Sequence, residues 1–88
     1  MSRLIEACQD LAGRLGITVL SARLSSMGGL CRIKGQWRLY LDENLDAEEM
    51  LMVYLRAFTQ FDLSVQFILP ALRDEIDYFR DRNERQGR

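Results

Sequence analysis

The chain has 88 residues, 48% apolar and 28% charged, with a net charge of −1. One domain with a single efficient core is expected at this length, and the near-neutral balance argues against a dedicated nucleic-acid binder, which carries a basic excess. There is no histidine, which excludes Ser–His and Cys–His nucleophile systems and leaves zinc chemistry only cysteines and carboxylates.

The first helix is expected over Arg3 to Leu15. Leu4, Cys8, Leu11 and Leu15 recur at helical spacing, with Ile5 and Ala12 beside them. Ser2 is placed to cap its start and Gly16 its end. "ITVLSARL" then reads as a strand, rich in β-branched residues at its beginning. "SSMGG" reads as a loop whose paired glycines allow positive φ or close approach to another backbone. It is either a plain connection or an anion-holding turn, and the strand expected after it favours the connection.

"LCRIKGQWRLYL" carries the clearest hairpin, with a turn around Lys34, Gly35 and Gln36. A three-residue loop would pair Ile33 with Trp37 and Cys31 with Leu39. It would put Cys31, Ile33, Trp37, Leu39 and Leu41 on one apolar face, and Arg32, Lys34, Arg38 and Tyr40 on a wet one. The glycine is central rather than last, which is unusual for such a loop.

"DAEEMLMVYLRAFTQF" opens as a helix, with Asp46 and Glu49 forming a capping box and Glu48 beside them in the first turn. Met50, Leu51, Tyr54, Ala57, Phe58 and Phe61 make a broad stripe, which Met52, Val53 and Leu55 extend around most of the circumference. Such a helix belongs at the centre of a core or against another chain. In "FDLSVQFILP", Leu63, Val65, Phe67 and Leu69 alternate, which predicts an extended segment, either an apolar loop or a short edge strand. Pro70 suits the first turn of a last helix, with Leu72, Ile76 and Phe79 buried. Residues 1–80 are expected to form one domain and 81–88 a solvated tail. The fold class is α+β: a three-stranded, mostly antiparallel sheet with about three helices packed on one face, in the order helix, strand, strand, strand, helix, helix.

Function is bounded more than identified. No catalytic residue, cofactor or metal ligand is expected. Met50 to Leu55, the longest wholly apolar run, is far shorter than the roughly 20 residues of a membrane span. Arg3, Glu6 and Asp10 break any leader-like stretch at the start. Cys8 and Cys31 are expected as reduced thiols, which points to the cytoplasm. The expected role is a non-enzymatic protein-interaction or accessory module. Its candidate partner or self-association surface is Phe61, Leu63, Val65, Phe67 and Leu69, a segment that could equally close the core from within. One alternative is an anion- or nucleic-acid-binding module using Arg32, Lys34 and Arg38 on the sheet. The other is a metal-independent enzyme using the carboxylates of Asp42, Glu43, Asp46, Glu48 and Glu49, which also suit turn and capping roles.

The stretches "LGITVL" and "GGLCRIKGQWRLYLDENLDAEEMLMVYLRAF" carry one resemblance. Their phrases and element order resemble the minimal zincin-like domain of the ImmA/IrrE metallopeptidases, over roughly Leu15 to Phe61. The helix after "LYLDENLDAEE" carries His-Glu-x-x-His in that family, where the histidines hold zinc and the glutamate activates water. Here those positions are Ala57, Phe58 and Phe61, none of which can do either. The resemblance implies a related fold without the metal chemistry, of bacterial or phage-like character.

Overall fold

The computed structural model describes residues 2–86, with side chains described for residues 3–83. Helix α1 spans Ser2–Arg14. Its stripe buries Cys8, Leu11 and Ala12 completely. Gly16, at φ 76°, turns the chain out of the helix, and its N–H donates to the Gly13 carbonyl at 3.1 Å. The cap assigned to the Ser2 side chain lies outside the described side chains.

Three strands follow: β1 at Ile17–Ala22, β2 at Gly28–Ile33 and β3 at Gln36–Asp42. β3 is central, with the order β1-β3-β2. β2 pairs antiparallel with β3, but β1 pairs with it in parallel over Ile17 to Ala22. The α+β class and the element order are as expected, but the sheet is mixed rather than mostly antiparallel. The reason is the path of the chain. β1 ends at Ala22, and the following loop crosses the end of β3 to start β2 on the far side. That crossing is held by the Leu24 N–H on Asp42 Oδ1 at 2.8 Å and by Asp42 N–H on the Met27 carbonyl at 2.9 Å.

The hairpin register also differs from expectation. Its loop has two residues, Lys34 and Gly35, and the pairs are Ile33 with Gln36, Arg32 with Trp37, Cys31 with Arg38 and Leu30 with Leu39. Both loop residues have positive φ, 51° and 81°. This primed-turn geometry matches the right-handed twist of the flanking strands, and Gly35 adopts it freely. The twist outweighs the strain at Lys34 and the tidier apolar face of the longer loop. One face therefore carries Ile17, Val19, Leu30, Arg32, Trp37, Leu39 and Leu41, and the helices cover it. The other, open face carries Leu20, Cys31, Ile33, Arg38 and Tyr40.

Helix α2 spans Ala47–Phe58 and has the expected capping box. The Asp46 side chain accepts the Glu49 N–H at 2.8 Å, and Glu49 Oε1 accepts the Asp46 N–H at 3.0 Å. Leu51, Val53, Tyr54, Leu55, Ala57 and Phe58 are all buried, so α2 is the beam of the core. Residues 61–69 form no strand. Asp62 Oδ1 accepts the Ser64 N–H at 3.0 Å, and the Gln66 N–H donates to the Leu63 carbonyl at 3.1 Å, so the segment is a loop pinned by turns. Leu63 and Ile68, rather than alternate residues, are its buried anchors.

Helix α3 spans Pro70–Gln86 and buries Leu72, Ile76 and Phe79. It continues through the segment assigned to a tail, with Asp81, Arg82 and Asn83 exposed on helical backbone. Gly87 and Arg88 lie outside the described residues.

Candidate functional site

Sheet register decides where chemistry can gather. β2 is an edge strand. Ile33 and Gln36 close the turn as a hydrogen-bonded pair, so bonded and non-bonded pairs alternate from there. Cys31–Arg38 and Gly29–Tyr40 are bonded, and the Asp42 N–H on the Met27 carbonyl continues the series. Gly28, Leu30 and Arg32 therefore turn their N–H and C=O groups outward, to the free edge. Along that edge, between β2 and α2, runs a cleft of about 410 Å³. Gly28, Gly29, Leu30 and Trp37 line its sheet side, and Val53, Arg56, Ala57 and Gln60 its helix side. Its polar side chains are Arg56, Gln60 and the Trp37 indole, with no carboxylate.

This cleft lies beside the positions that the zincin resemblance would make functional. Ala57 lines it. Phe58 points away, fully buried, stacked on Tyr54 with centroids 5.9 Å apart. Phe61 meets the Trp37 ring edge-on at 5.2 Å. Nothing at these three positions can bind a metal or move a proton.

The expected basic face does not form. Arg32 and Arg38 lie on opposite faces of the sheet, and Lys34 is in the turn. Arg32 sits over the Trp37 ring, its guanidinium 5.1 Å from the ring centroid. Arg38 lies in the open face, its Nε buried without a hydrogen-bond partner. The one-residue change of register separates the two. The paired glycines are strand residues, away from any helix N-terminus, so the anion-holding turn is also absent.

The carboxylates between β3 and α2 do not converge either. Asp42 receives the Leu24 and Asn44 N–H groups, and Glu43 pairs with Arg23 at 3.2 Å. Asp46 and Glu49 cap α2. Glu48 lies in a different groove, between α2 and α3. No group of three or more metal-ligating side chains occurs among the described residues, and no described helix is long and apolar enough to cross a membrane.

The segment Phe61–Leu69 divides. Phe61 and Leu63 pack inward, whereas Val65 is 87% exposed, Phe67 82% and Leu69 40%. The exposed part is firmly mounted. Arg14 Nη1 donates to the Phe67 carbonyl at 2.7 Å, and Arg73 Nη2 donates to the Gln66 carbonyl at 3.2 Å. The sequence had no signal for these two arginines, whose partners are backbone carbonyls of the loop, distant in sequence for Arg14 and close for Arg73.

Two buried groups make the core sensitive to base. Burial pushes the Cys8 thiol from 9.0 up to about 12. Burial, then the nearby Cys8 charge, pushes the Tyr54 hydroxyl from 10.0 up to about 12. Unfolded, both groups release protons near their ordinary values, so above about pH 9 the folded chain binds more protons than the unfolded one. Stability is full below that pH and falls towards pH 12, by up to about 1.4 kcal/mol per pH unit for each group. Urea midpoints at about pH 8 and about pH 10.5 should show this fall, and Cys8→Ala should make it shallower. Equal midpoints would refute it.

No family model, no curated protein and no solved structure matches this chain.

Proposed function

We propose that this chain is a non-enzymatic interaction module of the cytoplasm, zincin-like in fold but without metal ligands. It would dock an extended segment of a partner protein along the free edge of β2, beside α2. The observation that carries this reading is the line of outward backbone groups at Gly28, Leu30 and Arg32 facing a cleft without acid–base side chains. An incoming strand would find three donors and three acceptors there, each bond contributing about 0.5–1.5 kcal/mol net. That scale suits a transient partner once the cost of association is subtracted. The edge is not blunted by proline or lysine within β2, as a strand protected from pairing would be.

Val65 and Phe67 favour a second reading, self-association. Two apolar side chains are held in water on a loop whose backbone is already fixed, so little ordering remains to oppose contact.

One titration separates the two. Amide shifts of the isotope-labelled domain are followed while a seven-residue peptide of alternating Thr and Glu is added. Strand docking shifts Gly28, Leu30, Arg32 and the facing residues of α2. Sedimentation across a concentration series accompanies it, and a dimer abolished by Phe67→Glu supports self-association. No shift along β2 at millimolar peptide removes the docking reading, and a monomer throughout removes the other.

A further inference from the structure

The geometry points to an acidic occupant for the β2 edge: an extended segment with carboxylates at alternate positions, on the side that faces α2. This rests on the docking reading and specifies its partner. Side chains of a strand added to this edge alternate between the open face of the sheet and the helix layer. On the helix side they enter the cleft, where Arg56 projects from α2. Arg32 points to the same side from β2.

Both arginines are exposed, and among the described residues neither guanidinium has an ion pair or hydrogen bond. Two other arginines show the contrast. Arg14 is paired with Asp10, and Arg23 with Glu43. Arg56 suits the C-terminal end of its helix dipole, but that role leaves its planar fork free. Arg32 is held by the Trp37 face, which orients the guanidinium without using its N–H donors.

No carboxylate lines the cleft, and Arg56 is its one charged side chain, although the groove that Arg56 shares between α2 and α3 also holds Glu48 and Glu75. A carboxylate entering beside either arginine gains a charge-assisted contact. A basic segment would leave both guanidinium groups facing like charge.

The test uses fluorescence anisotropy at about 20 mM and about 200 mM salt, with three labelled seven-residue probes. The first alternates Thr and Glu, the second Thr and Gln, and the third is the first with alternate backbone amides N-methylated. The Glu probe should bind about 5–20-fold more tightly than the Gln probe at low salt, at about 2–5-fold for each arginine. The gap should narrow at the higher salt. The double variant Arg32→Gln, Arg56→Gln should bring the Glu probe down to the level of the Gln probe. Methylation should abolish binding.

Equal binding of Glu and Gln probes, with methylation still abolishing it, overturns the acidic preference and leaves strand docking standing. A double variant that still prefers Glu overturns the assignment of that preference to Arg32 and Arg56, and likewise leaves strand docking standing. A methylated probe that binds as well as its parent overturns strand docking itself, and the acidic proposal with it. Absence of binding by all three probes overturns both.

Discussion

Phe58→Ala lowers the stability of the domain by about 3–5 kcal/mol, the cost of removing a fully buried ring from a core that cannot collapse around the gap. The ring is completely inaccessible, lies on the central helix and stacks on Tyr54. Its loss removes both the transfer free energy of the side chain and the contacts of its neighbours. Domains of this size hold only about 5–15 kcal/mol in total. About a fifth or more of the margin therefore depends on one side chain. Urea unfolding measures it directly. The midpoint should fall sharply with an unchanged slope, since the change leaves the unfolded surface almost the same. A loss below about 1 kcal/mol would mean that the ring is not packed as described.

The same position tests the non-catalytic reading more severely. Introducing a His-Glu-x-x-His motif would take Ala57→His, Phe58→Glu and Phe61→His together. The glutamate would enter the dry interior at Phe58 with no donor to satisfy it, at a cost of several kcal/mol. The triple variant should lose cooperative unfolding and bind no stoichiometric zinc. A folded, zinc-loaded variant would show that this core accepts a metal site at these positions, and would count against the non-catalytic reading.

Local chemistry made the helices legible. The Asp46–Glu49 box, the Gly16 cap and the stripe through Cys8 and Leu11 are each decided within a few residues, so the chain shows them without tertiary context. The parallel pairing of β1 with β3 was not legible, because it depends on which side of β3 the loop after Ala22 passes. Hydrophobic alternation carries no record of that choice. The hairpin register was misread for a different reason. Cys31 and Ile33 alternate with Arg32 and Lys34 as if they faced the core. The positive φ of Lys34 and Gly35 instead sets a two-residue turn, and the turn moves every side chain of β2 across the sheet.

That shift explains why the site was hidden. Strand alternation groups Arg32 with Arg38 as a basic patch, and only the observed register brings it round to the Trp37 ring, on the helix side of the sheet. Arg56 offered no sign, since a lone basic residue near a helix end has a sufficient reason to be there. In residues 61–69, alternation predicts an extended segment, either an apolar loop or a short edge strand, and two turns with the inward anchors Leu63 and Ile68 make it the loop. The exposure of Val65 and Phe67 follows from those anchors rather than from their own character.

Gly28→Ala is the second large effect, and it links stability to the docking edge. Gly28 has φ 125°, a region that side-chain-bearing residues rarely adopt, and an added Cβ would overlap the Tyr40 carbonyl oxygen on the backbone of β3. Neither problem is relieved by a rotamer change, because the obstacle is main chain. The strain costs about 1–3 kcal/mol and the overlap a similar amount. A loss of about 3 kcal/mol is expected in urea unfolding. Gly29→Ala is the matched control. Its backbone does not have positive φ, and nothing lies within 4 Å of its added Cβ, so the change should fall within about 0.5 kcal/mol of the parent. Equal losses at the two positions would refute the close approach at Gly28. The pair also bears on function. Any folded Gly28→Ala population must push the start of β2 away from β3, which displaces the outward N–H and C=O groups of Gly28 and weakens the Asp42–Met27 bond behind them. Binding of the Thr/Glu peptide should then fall further than the unfolded fraction accounts for. A glycine kept for close backbone packing would then also hold the edge in place for a partner strand.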